Sequence, residues 1–341
     1  MKTKKFALCI VPLLLLFSCT LGVKTTLNWY QVLFPQGIVD TFPVLSDDGM
    51  SLFYLRRGIW RYDMATAVTK PLVDDPLITE FCLGGDTIYY LKDTSHVEHD
   101  EQIKEEKLPL IFGVHVIGGE SWTVWTADML NEDFNFGIGN AVIADLKYNG
   151  GSLIFADSGV SFIAYNLHTK QTARLVENAT SCALIGSEVF YLERFTFSIY
   201  KRNFILTEST PTLVVGSGQV IENGQEADFD LYDQVVVVDG RIFVARRNPA
   251  QVFEISADGK LSIVAENTEH TDVEMFVGKH KLYYHFELTE SINAFDLPTS
   301  TSREEWNDPA LRKASNFHPV LDRLFFTLYD DAEGYVCQSI L

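Results

Sequence analysis

One short pattern recurs along this chain and restricts its fold more than any other feature. A turn rich in Gly and Asp is followed by a short apolar and aromatic run, then a few polar residues, then a second such run. The clearest copy is Asp47-Asp48-Gly49, Leu52-Phe53-Tyr54-Leu55 and Ile59-Trp60-Arg61-Tyr62-Asp63. Further copies centre on Tyr89, Phe155, Phe190, Phe243, Tyr283 and Phe325. Gly118-Gly119 before Trp122-Thr123-Val124-Trp125 offers a fainter one. Asp-Gly and Gly-Gly supply the positive φ angles that tight hairpins need. A run that is apolar at every position, too short for a helix, must be covered on both faces.

The spacing says what covers it. Phe53 to Tyr89 is 36 residues, Phe155 to Phe190 is 35, Phe243 to Tyr283 is 40 and Tyr283 to Phe325 is 42. Tyr89 to Phe155 is 66, which suits two shorter units if the faint copy counts, and Phe190 to Phe243 is 53, one unit with an insertion. Four short strands and their turns take about 40 residues, the period of a propeller blade. The expected fold is therefore all-β: a single β-propeller over residues 23–341, with seven blades favoured and six or eight as alternatives. Its closing blade combines strands from both chain ends, one drawn from residues 28–34 and one from Tyr335 to Leu341. Helical periodicity is confined to Ser302–Lys313, where acids come early and Arg312 and Lys313 late, and a short helix is expected there.

Pro43-Val44-Leu45-Ser46-Asp47-Asp48-Gly49-Met50-Ser51-Leu52-Phe53-Tyr54 resembles the P-x-x-S-x-D-G-x-x-L-x-[FY] blade signature of TolB-type, WD40-like propellers. Later copies keep the turn and strand and lose the Pro and Ser. Tyr165-Asn166-Leu167-His168-Thr169-Lys170 resembles the strand-then-turn endings of sugar-lactonase-like and quinoprotein-like propellers. The resemblance implies an architecture and a binding role. It carries over no catalytic residue.

The first residues predict export. Lys2, Lys4 and Lys5 precede an apolar stretch from Phe6 to Phe17, and Thr20-Leu21-Gly22 suits cleavage before Val23, making residues 1–22 a signal peptide. Leu16-Phe17-Ser18-Cys19 is an alternative, a bacterial lipoprotein box with lipid on Cys19 and anchorage in the cell envelope. Neither stretch reaches the roughly 20 apolar residues of a membrane span. A formal charge of −19 disfavours nucleic acid and anionic lipid surfaces as partners. Cys82, Cys182 and Cys337 remain beyond the leader, an odd number at wide spacing that forms no disulfide framework. Cys82 and Cys182 each fall on a strand entering a blade and should stay unbridged. Asn178-Ala179-Thr180 is a glycosylation sequon.

Candidate sites are sparse. His96, Glu98, His99 and Asp100, continued by Glu101, have the donor types for a divalent metal, though the charge running on to Lys107 equally reads as a solvated insertion. Gly137-Ile138-Gly139 imitates part of a dinucleotide fingerprint, with Asp157 as the acid, but Asn149-Gly150-Gly151 cuts short the helix that motif needs. Gly216-Ser217-Gly218 lacks the outer glycine spacing of a nucleophile elbow. Glu80, Asp157, Glu193, Asp228 and Asp230 would matter if they met in a calcium-dependent site; turn capping explains them as well. Trp122, Trp125, Phe136, Phe229 and Tyr232 suit either a binding face or the core. The leading reading is a secreted, non-enzymatic propeller that binds an extracellular protein or carbohydrate through its loops and holds no cofactor. The alternatives are a metal-dependent hydrolase or lactonase and an envelope lipoprotein acting in assembly.

Overall fold

The computed structural model describes residues 30–32, 41–46, 48–92, 109–126, 129, 143–157, 161–204, 209–220, 226–230, 233–256, 258–278, 280–320, 323–330 and 333–339. The chain is a β-propeller. Among the described residues, seven four-stranded antiparallel sheets follow one another. Sheet 1 runs Thr41–Leu45, Ser51–Leu55, Ile59–Asp63, Val68–Val73. Sheet 2 is Ile78–Gly84, Thr87–Lys92, Pro109–His115, Trp122–Thr126. Sheet 3 is Ile143–Asn149, Ser152–Asp157, Ser161–Asn166, Thr172–Glu177. Sheet 4 is Ala179–Ile185, Glu188–Glu193, Ser198–Asn203, Thr212–Val215. Sheet 5 is Gln234–Val238, Arg241–Arg246, Ala250–Ile255, Leu261–Asn267. Sheet 6 is Val273–Gly278, Lys281–Phe286, Ser291–Asp296, Thr301–Asn307. In sheet 7, Ala314–Val320, Arg323–Asp330 and Glu333–Ser339 are joined by Tyr30–Val32, with Tyr30 opposite Ser339.

Period-two alternation explains the doubly apolar runs. In the second strand of sheet 1, Leu52 and Tyr54 pack with Phe325 of sheet 7, while Phe53 and Leu55 pack with Ile88 and Tyr90 of sheet 2. Leu153 and Phe155 of sheet 3 face Tyr89 and Trp125 of sheet 2, and Ile154 and Ala156 face Val189 and Tyr191 of sheet 4. Each seam between neighbouring sheets holds such a cluster, so the core is distributed around the ring. First strands of successive sheets touch one another and surround the central channel.

The turns behave as their residues require. Gly49 sits at φ 70°, Ser46 Oγ donates to Asp48 Oδ1 at 2.6 Å, and Asp48 accepts the Met50 N–H. Asp63, Asn166, Glu193 and Asp296 each end a strand and accept the backbone N–H three residues on. The residue four positions on, respectively Ala67, Lys170, Phe197 and Ser300, then takes a positive φ.

Two expectations need correction. Ser302–Lys313 is no helix: Thr301–Asn307 is the outer strand of sheet 6, and Pro309–Lys313 is a 3₁₀ turn. The early acids serve the sheet, Glu305 pairing with Lys281 and Arg303, and Asp308 caps the turn by accepting the Ala310 N–H. The Trp122–Trp125 copy is the outer strand of sheet 2, so the long Tyr89–Phe155 interval is one sheet with long connections. The long Phe190–Phe243 interval does carry an insertion, with a small hairpin of Gln219–Val220 and Glu226–Ala227. Among the described residues, no helix is long and apolar enough to cross a membrane.

Candidate functional site

Channel-lining residues come from the starts of first strands and the ends of second strands, and in five sheets the ladder there is irregular. The pairing of first with second strand slips between Thr41 and Val44, Ile78 and Glu80, Ala144 and Lys147, Ala179 and Ser181, and Ser315 and His318. A bulge leaves residues outside the ladder and re-aims their side chains. Asp145, inside one such bulge, has φ 57°. Two first-strand N–H groups are met across the seams. Glu80 Oε1 of sheet 2 accepts from Leu146 of sheet 3 at 2.8 Å, and Ser181 Oγ of sheet 4 accepts from Val235 of sheet 5 at 2.9 Å.

Above these bonds the channel widens into a cavity of about 960 Å³, walled by sheets 3 to 7. Its lining is polar: Asp145, Lys147, Asp233, Arg247, Asp272 and His285 all reach it. The cations have acid partners. Lys147 Nζ lies 2.8 Å from Asp145, Arg247 Nε lies 2.9 Å from Asp272, and Arg312 lies 2.8 Å from Glu290. Asp233, only 3% exposed, accepts the Arg247 N–H on Oδ1 and the Asp230 N–H on Oδ2, both at 2.8 Å.

Burial sets the protonation of this wall. Loss of water lifts the Asp233 carboxyl to about 7, against the two N–H bonds that favour its charge. Glu80 is lifted to about 7 by burial first and by the nearby Asp145 charge second. Burial pushes the His285 imidazole down, and its Nε2 lies 3.2 Å from the Thr289 carbonyl. The protein walls around Lys147 oppose its charge, but Asp145 and further negative neighbours outweigh them and hold its ammonium up. The Cys182 thiol is pushed up to about 12 by burial, and that of Cys82 is pushed up too, which disfavours the thiolate at both. Both cysteines are free and sit on the first strands of non-adjacent sheets, as expected. Such a wall offers donors and acceptors of both signs to a polar ligand. Among the described residues, no three His, Cys, Asp or Glu side chains are grouped to hold a metal ion.

The sequence candidates scatter. His96, Glu98, His99, Asp100, Cys19, Gly137–Gly139, Phe136 and Tyr232 lie outside the described residues. Asn178 is exposed at the turn between sheets 3 and 4. Of the acids, Glu80 bonds across a channel-side seam and Asp230 donates its N–H to Asp233. Glu193 caps its turn, Asp228 accepts from Ser217 Oγ at 3.2 Å, and Asp157 ends a second strand. Trp125 is core, its Nε1 donating to Thr172 Oγ1 at 3.1 Å, and Phe229 is core against Phe253. Among the described aromatic candidates, Trp122 alone stays partly open. The sequence reading missed Asp233, Arg247, Asp272 and His285. Asp233 and Asp272 carry a signal nonetheless: each is an acid just ahead of an apolar first strand.

No protein-family model matches the chain, and no curated protein matches it. Solved structures do. YCF48 from Cyanidioschyzon merolae is 9% identical over 91% of this chain and 98% of its own, with a TM-score of 0.58. The N-terminal domain of Nup159 is 9% identical over 91% and 93%, with a TM-score of 0.54. BamB from Moraxella catarrhalis is 9% identical over 89% and 83%, with a TM-score of 0.51. At such identity the likeness speaks for the fold, a β-propeller, in line with the resemblance carried by the first repeat.

Proposed function

We propose that this chain is an exported binding propeller that takes an extracellular protein or carbohydrate ligand at the mouth of its central channel. The observation that carries this reading is the polar cavity of about 960 Å³ on the face where first strands begin. Its walls come from five sheets, so one ligand meets many independent loops, as binding sites on rigid scaffolds require. On this reading the seven sheets are seven blades. Tyr30–Val32, beside Glu333–Ser339, is the clasp that joins the ends of the ring.

A photo-crosslinking residue at Leu288, which lines the mouth and is 60% exposed, tests the seat against one at Ile117, 74% exposed in a turn on the opposite face. Saturable crosslinks from 288 and none from 117 are expected. Equal labelling, or labelling from 117 alone, would show that the mouth is not the seat. Leu16-Phe17-Ser18-Cys19 favours a second reading, the same propeller tethered to an envelope by lipid on Cys19. The intact mass of the exported chain separates a start at Val23 from a lipidated Cys19.

A further inference from the structure

A second cleft lies away from the channel, in the seam between sheets 2 and 3. Cys82, Tyr89, Gly113 and Trp122 stand opposite one another across the strands of sheet 2 and therefore share one face. Tyr89 packs in the cluster with Leu153 and Phe155, so that face looks toward sheet 3. Gly113 shapes the row. A Cβ there would stand 2.8 Å from the Trp122 ring, so only glycine lets the indole lie down on the neighbouring strand. The indole rests over Gly113, tilts against the His115 ring with centres 5.0 Å apart, and remains 39% exposed. From sheet 3, Tyr165 and Leu167 form the facing wall. Lys170 stands at the rim, its ammonium 5.9 Å from the Tyr165 ring centre. Among the described residues no carboxylate pairs with Lys170. The cleft encloses about 470 Å³.

We infer that this seam is a carbohydrate site that takes a short stretch of uronate-bearing glycan, with a pyranose face on Trp122 and its carboxylate toward Lys170. A flat, partly open aromatic plate presents a negative π face to the C–H-rich side of a sugar ring. The indole N–H and the Lys170 ammonium supply donors for sugar hydroxyls. An aliphatic peptide anchor would cover the plates equally well, but it would desolvate an unpaired ammonium, which costs free energy. A carboxylate removes that penalty. The volume lies in the roughly 300–1,000 Å³ range of small-ligand clefts. This site is independent of the channel mouth and stands or falls separately from it.

The test is titration of the full chain with linear trimers of galacturonate and of mannuronate, monitored by isothermal titration calorimetry. Maltotriose serves as the neutral control and a proline-rich decapeptide as the rival. Saturable binding of at least one tri-uronate is expected, tighter than maltotriose and weakening with salt. Trp122→Ala should weaken it about tenfold or more, as loss of an aromatic anchor does, without changing the melting temperature. Lys170→Gln should abolish the preference over maltotriose. Leu213→Ala, on the exposed outer strand of sheet 4, should bind as the parent does. The inference is overturned if neither tri-uronate binds, if Trp122→Ala binds like the parent, or if the decapeptide binds more tightly than both trimers.

Discussion

The middle of each sheet and its inner edge obey different rules. In all seven sheets the second and third strands pair with no slip in register. Toward the channel, five of the seven first strands slip where they meet the second. The middle must present apolar side chains alternately to both neighbouring sheets, and a one-residue shift would turn all of them the wrong way. The inner edge faces the channel, so a bulge there costs little. Register is thus held where both faces are apolar and relaxed where the edge is open.

The largest way to break this comparison is to remove the one strand that belongs to neither end alone. Deleting residues 23–35 removes Tyr30–Val32 and leaves Glu333–Ser339 unpaired on one side. Loss of cooperative unfolding, or self-association visible by light scattering, is the expected result. A monomer with an unchanged melting temperature would rule the clasp out. Next in size, Phe155→Ala in the regular part should cost about 3–5 kcal/mol by urea denaturation, because Phe155 is fully buried against Trp125.

The inner edge should show itself in pH dependence. The Glu80 carboxyl, held near 7 when folded against 4.5 ordinarily, binds its proton more tightly in the native state. Its contribution is greatest below about pH 4.5, drains away as pH rises to about 7, and is flat above that. Glu80→Gln keeps an oxygen for the Leu146 N–H and carries no charge. It should flatten part of the decline between pH 4.5 and 7 and raise stability at pH 8, read by urea melts across that range. Asp233→Asn should act in the same direction. A steeper decline in either variant would contradict the burial of these carboxyls. Smallest of all, Asp296→Ala should lower the urea midpoint only slightly, since it removes bonds to the Thr299 N–H and hydroxyl in an exposed turn.

The same division explains what could be read from the residues. Leu52–Leu55, Leu153–Ala156 and Ile242–Ala245 announce themselves because burial on both faces leaves no polar position. The seven strong copies of the repeat each mark a second strand, and from them the propeller follows. The Ser46-x-Asp48-Gly49 turn was recognised. Its twin at Ser256-x-Asp258-Gly259, where Ser256 Oγ also accepts the Lys260 N–H, joins a third strand to a fourth and passed unnoticed. The channel wall was opaque for another reason. Asp233, Arg247, Asp272 and His285 are distant in sequence, and they share no spacing, only the consequence of ring geometry. Ser302–Lys313 misled because its acids are spaced for ion pairs on an outer strand, a pattern that also suits a helix start.

The pairing of Tyr30 with Ser339 has a consequence for the chain's biography. During synthesis Tyr30–Val32 emerges long before its partner Glu333–Ser339. The sheet that holds both strands is completed only when those two segments meet, whatever order the intervening sheets adopt.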